Sequence, residues 1–472
     1  MASQTYNQKN QKNLPIGVVS VPFPMQGHLN QTLLLSNLIS SYGIQVHFAG
    51  STTHNQQAKQ RLHGWNQQNI HFHDLQLPNL NSSIPPLFNE KTTEFPSHLQ
   101  PLFDASLNLR QPMFKLLQEL SLKYRRIIVI HDTLMAYVVQ DLKFIPNAES
   151  YALHSVSAFA IFFHIWDSLS DGKPFELDDD IPNCRDLLNE GCLTQEFKEF
   201  IALQYKALDF ESGRLYNTCR LFEGRYMNLL EKLPTNANKK LFAMGPLNLV
   251  DINRTNPSKI RHECLEWLDK HDKNSVLFVS FGTSTSLTEE QITELAIGLE
   301  RSDQKFLWVL RMADGAQFSA EDYMNKKNLL EGYESKVKHK GMVVTDWAPQ
   351  LEILAHSAIG GFMSHCGWNS SIESISMGVP IIALPMHSDQ PKNSIFLRDV
   401  LKICLLVRKW EKRDELVRWD VVENCVSRLM VSKEGEEMRR RANELGRKVR
   451  DSVEIGGTSY LERDSFITHI SR

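Results

Sequence analysis

Ten consecutive residues, HCGWNSSIES at positions 365–374, concentrate side chains that suit one kind of ligand. His365 supplies an imidazole and Asn369 an amide. Ser370 and Glu373 add a hydroxyl and a carboxylate, and on a helix these side chains would share one face with Asn369. The N–H groups at a helix start bind phosphate oxygens, and a carboxylate accepts hydrogen bonds from both hydroxyls of a ribose. The segment therefore predicts a nucleoside diphosphate site.

The segments on either side of this stretch add groups that such a ligand needs. Trp347, in DWAPQ, offers a flat indole face on which a base can stack, and Gln350 can form hydrogen bonds nearby. Asp389 and Gln390 follow the apolar run PIIALPM and suit the hydroxyls of a sugar. A polar turn after a strand has the same composition, so this last pair is also compatible with a purely structural role.

The loop FGTSTS at 281–286 lies between a predicted strand and a predicted helix. Its glycine lets the backbone approach a ligand closely, and Thr285 is one of four hydroxyl residues that follow it. The pattern favours either a diphosphate cradle or an ordinary capped helix start, since both use hydroxyls at a helix N-terminus.

A candidate base lies in the N-terminal half. His28, in PMQGHLNQ, follows the first predicted strand, and Asp132 ends the apolar run RIIVIHD. A carboxylate on one imidazole nitrogen fixes the tautomer and stabilises the imidazolium, which leaves the other nitrogen free to take a proton. We therefore interpret His28 as a general base that removes a hydroxyl proton, with Asp132 as its partner.

Two series of strands and helices must position these residues. Apolar, β-branched runs predict strands at 16–24, 44–50, 126–132, 275–283, 305–311, 341–349, 360–365 and 380–386. Helical spacing of apolar residues predicts helices at 31–43 and 287–302. The stretch at about 75–100 is rich in proline, asparagine and serine and predicts a long loop.

The first strand, helix and strand form a βαβ unit, which implies a parallel sheet. We expect the α/β class, with two doubly wound domains that face one another across a cleft. Ligands of such sheets bind beyond the carboxyl ends of the strands, where PMQGH, HD and FGTSTS lie. The predicted organisation is a domain at 1–244, a linker at 245–259, a domain at 260–450 and a final helical segment at 451–472.

Composition excludes several other classes. The formal net charge of −3 provides no field that would attract nucleic acid. No apolar run is long enough for a membrane span, and the polar N-terminus MASQTYNQKNQKN does not resemble a signal peptide. The seven cysteines are scattered without a CxxC pair, which favours a reducing compartment over a zinc or dithiol site. We expect a cytoplasmic protein.

The stretch from Trp347 to Gln390, WAPQLEILAHSAIGGFMSHCGWNSSIESISMGVPIIALPMHSDQ, closely resembles the donor-binding signature of plant UDP-dependent glycosyltransferases, without a gap. The resemblance implies the GT-B fold of two facing Rossmann-like domains, with the final helix packed against the N-terminal one. It also implies a donor site in which Trp347 stacks on uracil, Gln350 contacts the nucleoside and Glu373 binds the ribose. The remaining implied donor-site residues are Thr285, His365, Asn369 and Ser370 at the diphosphate, Asp389 and Gln390 at the sugar, and Trp368 and Ala348 close by.

The same resemblance places a catalytic histidine and aspartate at His28 and Asp132. It implies transfer with inversion from UDP-glucose, or from UDP-xylose, to an acceptor hydroxyl, by a monomer that uses no metal or other cofactor. His387 stands where many family members have tryptophan, which leaves the choice of sugar open. VPFPMQGHLNQ and HFAGSTTHNQQAKQR resemble the zeatin O-glycosyltransferases and imply a cytokinin acceptor such as trans-zeatin. A flavonoid, another phenol or a growing sugar chain is the alternative acceptor.

Three other functions compete with this interpretation. A metal-dependent GT-A transferase would need an acidic motif after a strand, and LDDDIP at 177–182 is the one candidate, in a loop-like context that favours a solvated turn. A non-catalytic binding protein would have no need of the His28 and Asp132 pair. An NAD-dependent dehydrogenase would need GxGxxG after the first strand, where the sequence lacks it.

Aromatic residues of the N-terminal half offer both core and acceptor-pocket candidates. Those that could line an apolar pocket are Phe23, Met25, Phe88, Phe95, Phe103 and the run at 159–166. For Cys366, packing beneath the diphosphate loop is favoured over a reactive thiol.

Overall fold

The computed structural model describes residues 14–61, 67–77, 99–169, 172–182, 184, 193–250, 261–282, 287–310 and 332–472. Within these ranges the strands form two sheets, one from residues 16–243 and one from residues 276–406. Neighbouring strands of both sheets run parallel, and helices connect them. This is the α/β class that the sequence predicts.

The first sheet contains seven strands. They are β1 Ile16–Val21, β2 Gln45–Ser51, β3 Ile70–Leu75, β4 Arg126–Asp132, β5 Ala148–His154, β6 Gly213–Tyr216 and β7 Lys240–Ala243. Their order in the sheet is β3-β2-β1-β4-β5-β6-β7. Val21 at the end of β1 pairs with His131 near the end of β4, so the residues that follow these two strands meet at one edge of the sheet.

The second sheet contains six strands. They are β8 Val276–Ser280, β9 Lys305–Val309, β10 Gly341–Val344, β11 Ile359–Ser364, β12 Ile381–Ala383 and β13 Cys404–Leu406, in the order β10-β9-β8-β11-β12-β13. Ser364 at the end of β11 pairs with Ser280 of β8 and with Ala383 of β12. The carboxyl ends of these three strands therefore lie side by side.

Helices cover both faces of the sheets. They are α1 Gln26–Ser41, α2 Thr52–Arg61, α3 Gln100–Ser106, α4 Arg110–Ser121, α5 Ala136–Val139, α6 Ala158–Ser168, α7 Gln195–Ala207, α8 Arg220–Glu231, α9 Glu263–Leu268, α10 Glu289–Arg301, α11 Gln350–Ala355, α12 Trp368–Met377, α13 Gln390–Ile395, α14 Trp419–Val431, α15 Lys433–Val453 and α16 Thr458–Ser471. Successive strand residues point to opposite faces: Val18 packs with Leu33 of α1, and Val19 with Leu117 of α4. Of the helices described, none has the length and apolar character of a membrane span.

The long apolar runs predicted strands accurately, and the short or polar strands were missed. β4 occupies the predicted residues, and strands lie within the other seven predicted runs or overlap them closely. The run PIIALPM does not complete the second sheet, since β13 adds an edge strand beyond it. β3, β5, β6 and β7 were also not predicted, because they are short or carry charged residues such as Arg214. The predicted loop at 75–100 lies largely outside the described residues.

The last helix, α16, packs against the first sheet although α15 before it packs against the second half of the chain. Phe466, Ile467 and Ile470 join a buried cluster that contains Val18. Arg463 is 5% exposed and donates hydrogen bonds to the carbonyls of Met244 (2.9 Å) and Pro246 (2.8 Å), where the chain leaves the first sheet. The predicted domain boundaries remain predictions.

Replacing Arg463 with methionine should lower the free energy of unfolding by on the order of 3 kcal/mol, because two buried carbonyls lose a charged donor. Denaturant unfolding followed by tryptophan fluorescence measures the change. Arg440→Met is the control, since Arg440 is exposed on α15 and bonded to Glu437, and it should leave the midpoint nearly unchanged. Equal midpoints for both variants would contradict the role given to Arg463.

Candidate active site

His28 and Asp132 meet at the carboxyl edge of the first sheet. His28 lies in the first turn of α1, and Asp132 is the last residue of β4, the neighbour of β1. The imidazole Nδ1 lies 2.7 Å from Asp132 Oδ2. The Ser155 hydroxyl donates to the same oxygen at 2.8 Å, and the Leu134 N–H donates to Oδ1 at 2.9 Å. The pair that the sequence suggested is therefore formed, and two further donors hold its carboxylate in place.

The electrostatics of this pair suit a base. Burial lowers the pKa of His28, but attraction to Asp132 and the hydrogen bond that His28 donates to it, with a further contribution from Asp389, outweigh burial and raise that pKa above its usual value. Burial raises the pKa of Asp132, but His28 and the surrounding donors outweigh it and keep the carboxylate ionised. Asp132 accepts a hydrogen bond from the Nδ1 N–H, so the lone pair of the neutral imidazole lies on Nε2. Nε2 forms no hydrogen bond with any residue that the structure describes. The His28 side chain is 22% exposed, so a substrate can reach it.

The diphosphate candidates lie between β11 and α12. Cys366 takes a positive φ of 62° and reverses the chain so that α12 begins at Trp368 with its N-terminus at the carboxyl edge. His365 is buried, its Nδ1 bonds to no residue that the structure describes, and burial lowers its pKa to about 4. A Cβ on Gly282 or Gly367 would lie 2.7 or 2.5 Å from His365 Nε2. The neutral imidazole is thus enclosed by two glycine backbones. It lies just before the N-terminus of α12, the end of a helix that favours an anion.

The predicted residues at the start of α12 also contact the first sheet. Trp368 donates its indole N–H to the Asn217 carbonyl at 2.8 Å. Asn369 donates to the Gly27 carbonyl at 2.8 Å and accepts a hydrogen bond from Gln31. In this structure Trp368 and Asn369 thus join the two halves of the chain. Ser370 is buried, and its hydroxyl accepts a hydrogen bond from Gln350 at 3.0 Å. Thr285 lies outside the described residues.

The predicted nucleoside residues form a second group beyond β10. Trp347 is 52% exposed, and Ala348 follows it on the loop before α11. Gln350 donates to Glu373 Oε2 at 2.7 Å. Burial raises the pKa of Glu373 to about 7, although the Gln350 hydrogen bond opposes the change. An exposed indole suits a base, and a partly buried carboxyl group suits a ribose.

The predicted sugar residues follow β12. Asp389 is half-buried, and its pKa is raised by burial, while bonds from Asn393 and attraction to His28 oppose the rise. Its charge in turn contributes to the raised pKa of His28. Gln390 is buried, and its amide oxygen accepts hydrogen bonds from the N–H groups of Met386 (2.9 Å) and His387 (3.2 Å). Gln390 therefore shapes the loop that carries Asp389.

Comparison with known proteins agrees with this geometry. A family model described as "Glycosyltransferase, N-terminal domain" matches residues 15–249, and one described as "UDP-glucoronosyl and UDP-glucosyl transferase" matches residues 246–403. A zeatin O-glucosyltransferase from Phaseolus lunatus is 48% identical over 98% of this chain and 99% of its own length. The chain belongs to the UDP-glycosyltransferase family.

Two further comparisons extend the similarity of this glycosyltransferase. A zeatin O-xylosyltransferase from Phaseolus vulgaris is 46% identical over 96% of this chain and 98% of its own length. A transferase from Siraitia grosvenorii solved in complex with UDP aligns with a TM-score of 0.74 at 25% identity, over 97% of this chain and 100% of that one. The predicted GT-B fold is confirmed.

Three contributors to the site of this glycosyltransferase were not predicted. Ser155 bonds to Asp132, Gln31 donates to the Ser155 carbonyl and to Asn369, and Asn393 donates to Asp389. Ser155 follows β5, so recognising that strand would have placed it beside Asp132 at the carboxyl edge. Asn393 lies four residues after Asp389, a spacing that brings two side chains together on a helix. The role of Gln31 depends on residues far away in the chain, and no local pattern marks it.

The aromatic pocket candidates are mostly core. Phe23 packs against the His28 ring at 5.5 Å and against Phe103 at 4.8 Å, and both phenylalanines are buried. Most of the run at 159–166 is buried in α6, while His164 is exposed. Phe88 and Phe95 lie outside the described residues. The acceptor side of the site is therefore described only near His28.

The acidic run and the cysteines have ordinary surroundings. Asp178 and Asp180 of LDDDIP form exposed ion pairs with Arg225. Within the described ranges, no three His, Cys, Asp or Glu side chains lie close enough together to hold a metal ion. Cys366 is buried beneath the turn, and burial raises the pKa of its thiol well above the usual value. A reactive thiolate is not favoured there.

The raised pKa of Glu373 predicts a pH-dependent donor affinity. A ribose diol binds the ionised carboxylate, so binding expels a proton below pH 7 and the affinity for UDP-glucose should fall by up to about tenfold per pH unit there. Calorimetric titration with UDP-glucose between pH 5.5 and 8.5 tests this, since its diphosphate does not titrate in that range. Glu373→Gln should bind more weakly and without this slope; an unchanged slope would remove Glu373 from the ribose site.

Proposed function

We propose that this protein is an inverting O-glycosyltransferase that moves glucose, or xylose, from a UDP-sugar to a hydroxyl of a cytokinin such as trans-zeatin. The observation that carries the proposal is the His28 and Asp132 pair at the carboxyl edge of the first sheet, which leaves the second imidazole nitrogen available to a substrate hydroxyl. The full-length similarity to zeatin O-glucosyl- and O-xylosyltransferases supports the cytokinin acceptor.

The proposed reaction is a single displacement at the anomeric carbon. The acceptor oxygen attacks the carbon from the side opposite to UDP, His28 Nε2 takes the hydroxyl proton as the C–O bond forms, and UDP leaves with the bonding electrons. Asp132 stabilises the imidazolium that results. The sugar of the donor is α-linked, so inversion gives a β-glycoside.

The donor half would stabilise the charge that develops on the departing diphosphate. The N-terminus of α12 directs its free N–H groups toward the carboxyl edge, and His365 adds a neutral imidazole. Trp347 would stack on the uracil and Glu373 would bind the ribose, while Asp389 would hold the sugar. We propose no metal and no cofactor besides the donor.

Two facing halves explain how both substrates can be aligned. The carboxyl edges of the sheets meet where Asn369 bonds to Gly27 and where Trp368 bonds to Asn217, so residues of either half can reach the same reacting atoms. Holding two reactants in near-attack geometry can lower the activation free energy by about 7–11 kcal/mol. We further propose that the enzyme acts as a monomer in the cytoplasm.

Replacing His28 with alanine should lower the transfer rate about 100- to 10,000-fold, because the general base is lost. Donor affinity should change little, since the donor residues lie on the other sheet. Initial-rate kinetics and calorimetry with UDP measure the two effects. His71→Ala, at an exposed histidine on β3, is the control and should retain full activity. Near wild-type transfer by His28→Ala would refute the base assignment.

A panel of donors against acceptors tests the substrates. We expect UDP-glucose or UDP-xylose to give a product with trans-zeatin, identified by a mass increase of one sugar and by the coupling constant of a β-linked anomeric proton. Dihydrozeatin and flavonols are the competing acceptors, and a flavonol preference would favour the alternative. Activity should persist in chelator; its loss there would favour a metal-dependent transferase.

A further inference from the structure

Asn393 of α13 connects three segments around the candidate sugar site. It is fully buried, with a relative exposure of 0%. Its Nδ2 group donates to Asp389 Oδ2 at 2.7 Å and to the Cys366 carbonyl at 2.9 Å, and its Oδ1 accepts from the Ser157 hydroxyl at 2.7 Å. Both N–H groups and the carbonyl oxygen of the amide are therefore paired.

The orientation of this amide follows from its partners. The Cys366 carbonyl can only accept, so it requires the N–H side of Asn393. The Ser157 hydroxyl already accepts the Ala160 N–H at 3.0 Å as the N-cap of α6, so its own proton is free to go to Asn393 Oδ1. With the amide fixed in this way, its second N–H must point to Asp389.

The three partners belong to different parts of the site. Asp389 is the sugar candidate, Cys366 forms the turn before the diphosphate helix, and Ser157 caps a helix of the first sheet. A carboxylate that rotates freely would hold a sugar hydroxyl poorly. Because the Asn393 amide is buried and fully paired, its hydrogen bond restricts the rotation of the Asp389 carboxylate by holding Oδ2 in place.

We propose that Asn393 is the positioning residue for Asp389: it holds Oδ2 so that the carboxylate is oriented to accept hydrogen bonds from the hydroxyls of the donor sugar. This inference rests on the proposed function, in which Asp389 binds that sugar. Asn393 is fully buried, so we expect its contribution to concern the sugar, through Asp389, and not UDP.

The test compares two ligands that differ only in the sugar. Asn393→Ala should weaken binding of UDP-glucose about 10- to 100-fold, the effect of one charged hydrogen bond, while the affinity for UDP stays within about twofold. Calorimetry on the full-length protein measures both. Ser394→Ala is the matched control on the same helix, since Ser394 is also buried but bonds only to the Pro391 carbonyl. It should change neither affinity.

A double-mutant cycle shows whether Asn393 acts through Asp389. In the Asp389→Ala background, Asn393→Ala should have little further effect on UDP-glucose affinity. Asn393→Ser, which places a smaller polar group in the buried position, replaces Asn393→Ala in both comparisons if the alanine variant does not fold.

The outcomes separate this inference from the proposed function. If Asp389→Ala weakens UDP-glucose binding but the Asn393 variants do not, the positioning role is wrong and the sugar assignment stands. Additive losses in the cycle, or equal losses for UDP and UDP-glucose, also overturn the positioning role. If Asp389→Ala leaves UDP-glucose binding unchanged, the sugar assignment of the proposed function fails first.

Discussion

The 2.7 Å contact between His28 and Asp132 exists only because β1 and β4 are neighbours in a parallel sheet. The two residues are separated by more than a hundred positions in the chain, yet both follow or end strands whose carboxyl ends lie together. This contact settles which ring nitrogen carries the proton and therefore which one can act on a substrate. Ser155, at the end of the next strand, holds the same carboxylate, so three adjacent strands contribute to one imidazole.

The candidate site lies where the carboxyl edges of the two sheets meet. Several of its side chains also join the two halves of the chain. Trp368 and Asn369 begin the helix that faces the diphosphate position, and they also bond to Asn217 and Gly27 of the other half. Apolar contacts reinforce these bonds, since Phe159 of α6 packs against Phe396 at 5.2 Å. Because the same residues organise the candidate donor site and join the halves, the arrangement of the halves and the geometry of that candidate site depend on each other.

Much of this architecture could be predicted from the sequence. RIIVIHD predicts β4 because it is continuously apolar up to its two polar residues, and the pattern of strand followed by polar loop singled out His28 and Asp132, which lie in contact, and the candidate donor loops. GRLY was missed as β6 because it is four residues long and carries an arginine, which is buried beside Glu211. Propensity cannot detect a strand whose charged residue is neutralised by a partner outside it.

The missed site residues have a different cause. Ser157 and Asn393 bond to each other across 236 positions, and each is an ordinary polar residue in its own segment. Their importance arises only from the packing of α6 against α13, which is a property of the assembled fold. The resemblance of residues 347–390 to a known signature identified direct ligand candidates such as Glu373, but it does not distinguish residues that orient those ligands.

The return of α16 to the first sheet gives the chain two passages between the halves, one after β7 and one between α15 and α16. Two covalent passages allow one half to rotate relative to the other about the line that joins the passages, and they resist rotation about other axes. Arg463 of α16 bonds to the carbonyls of Met244 and Pro246, so the two passages are held together by hydrogen bonds. Opening of the enzyme to admit a donor would then be a rotation about these two passages, and the part of the cleft furthest from them would move the greatest distance.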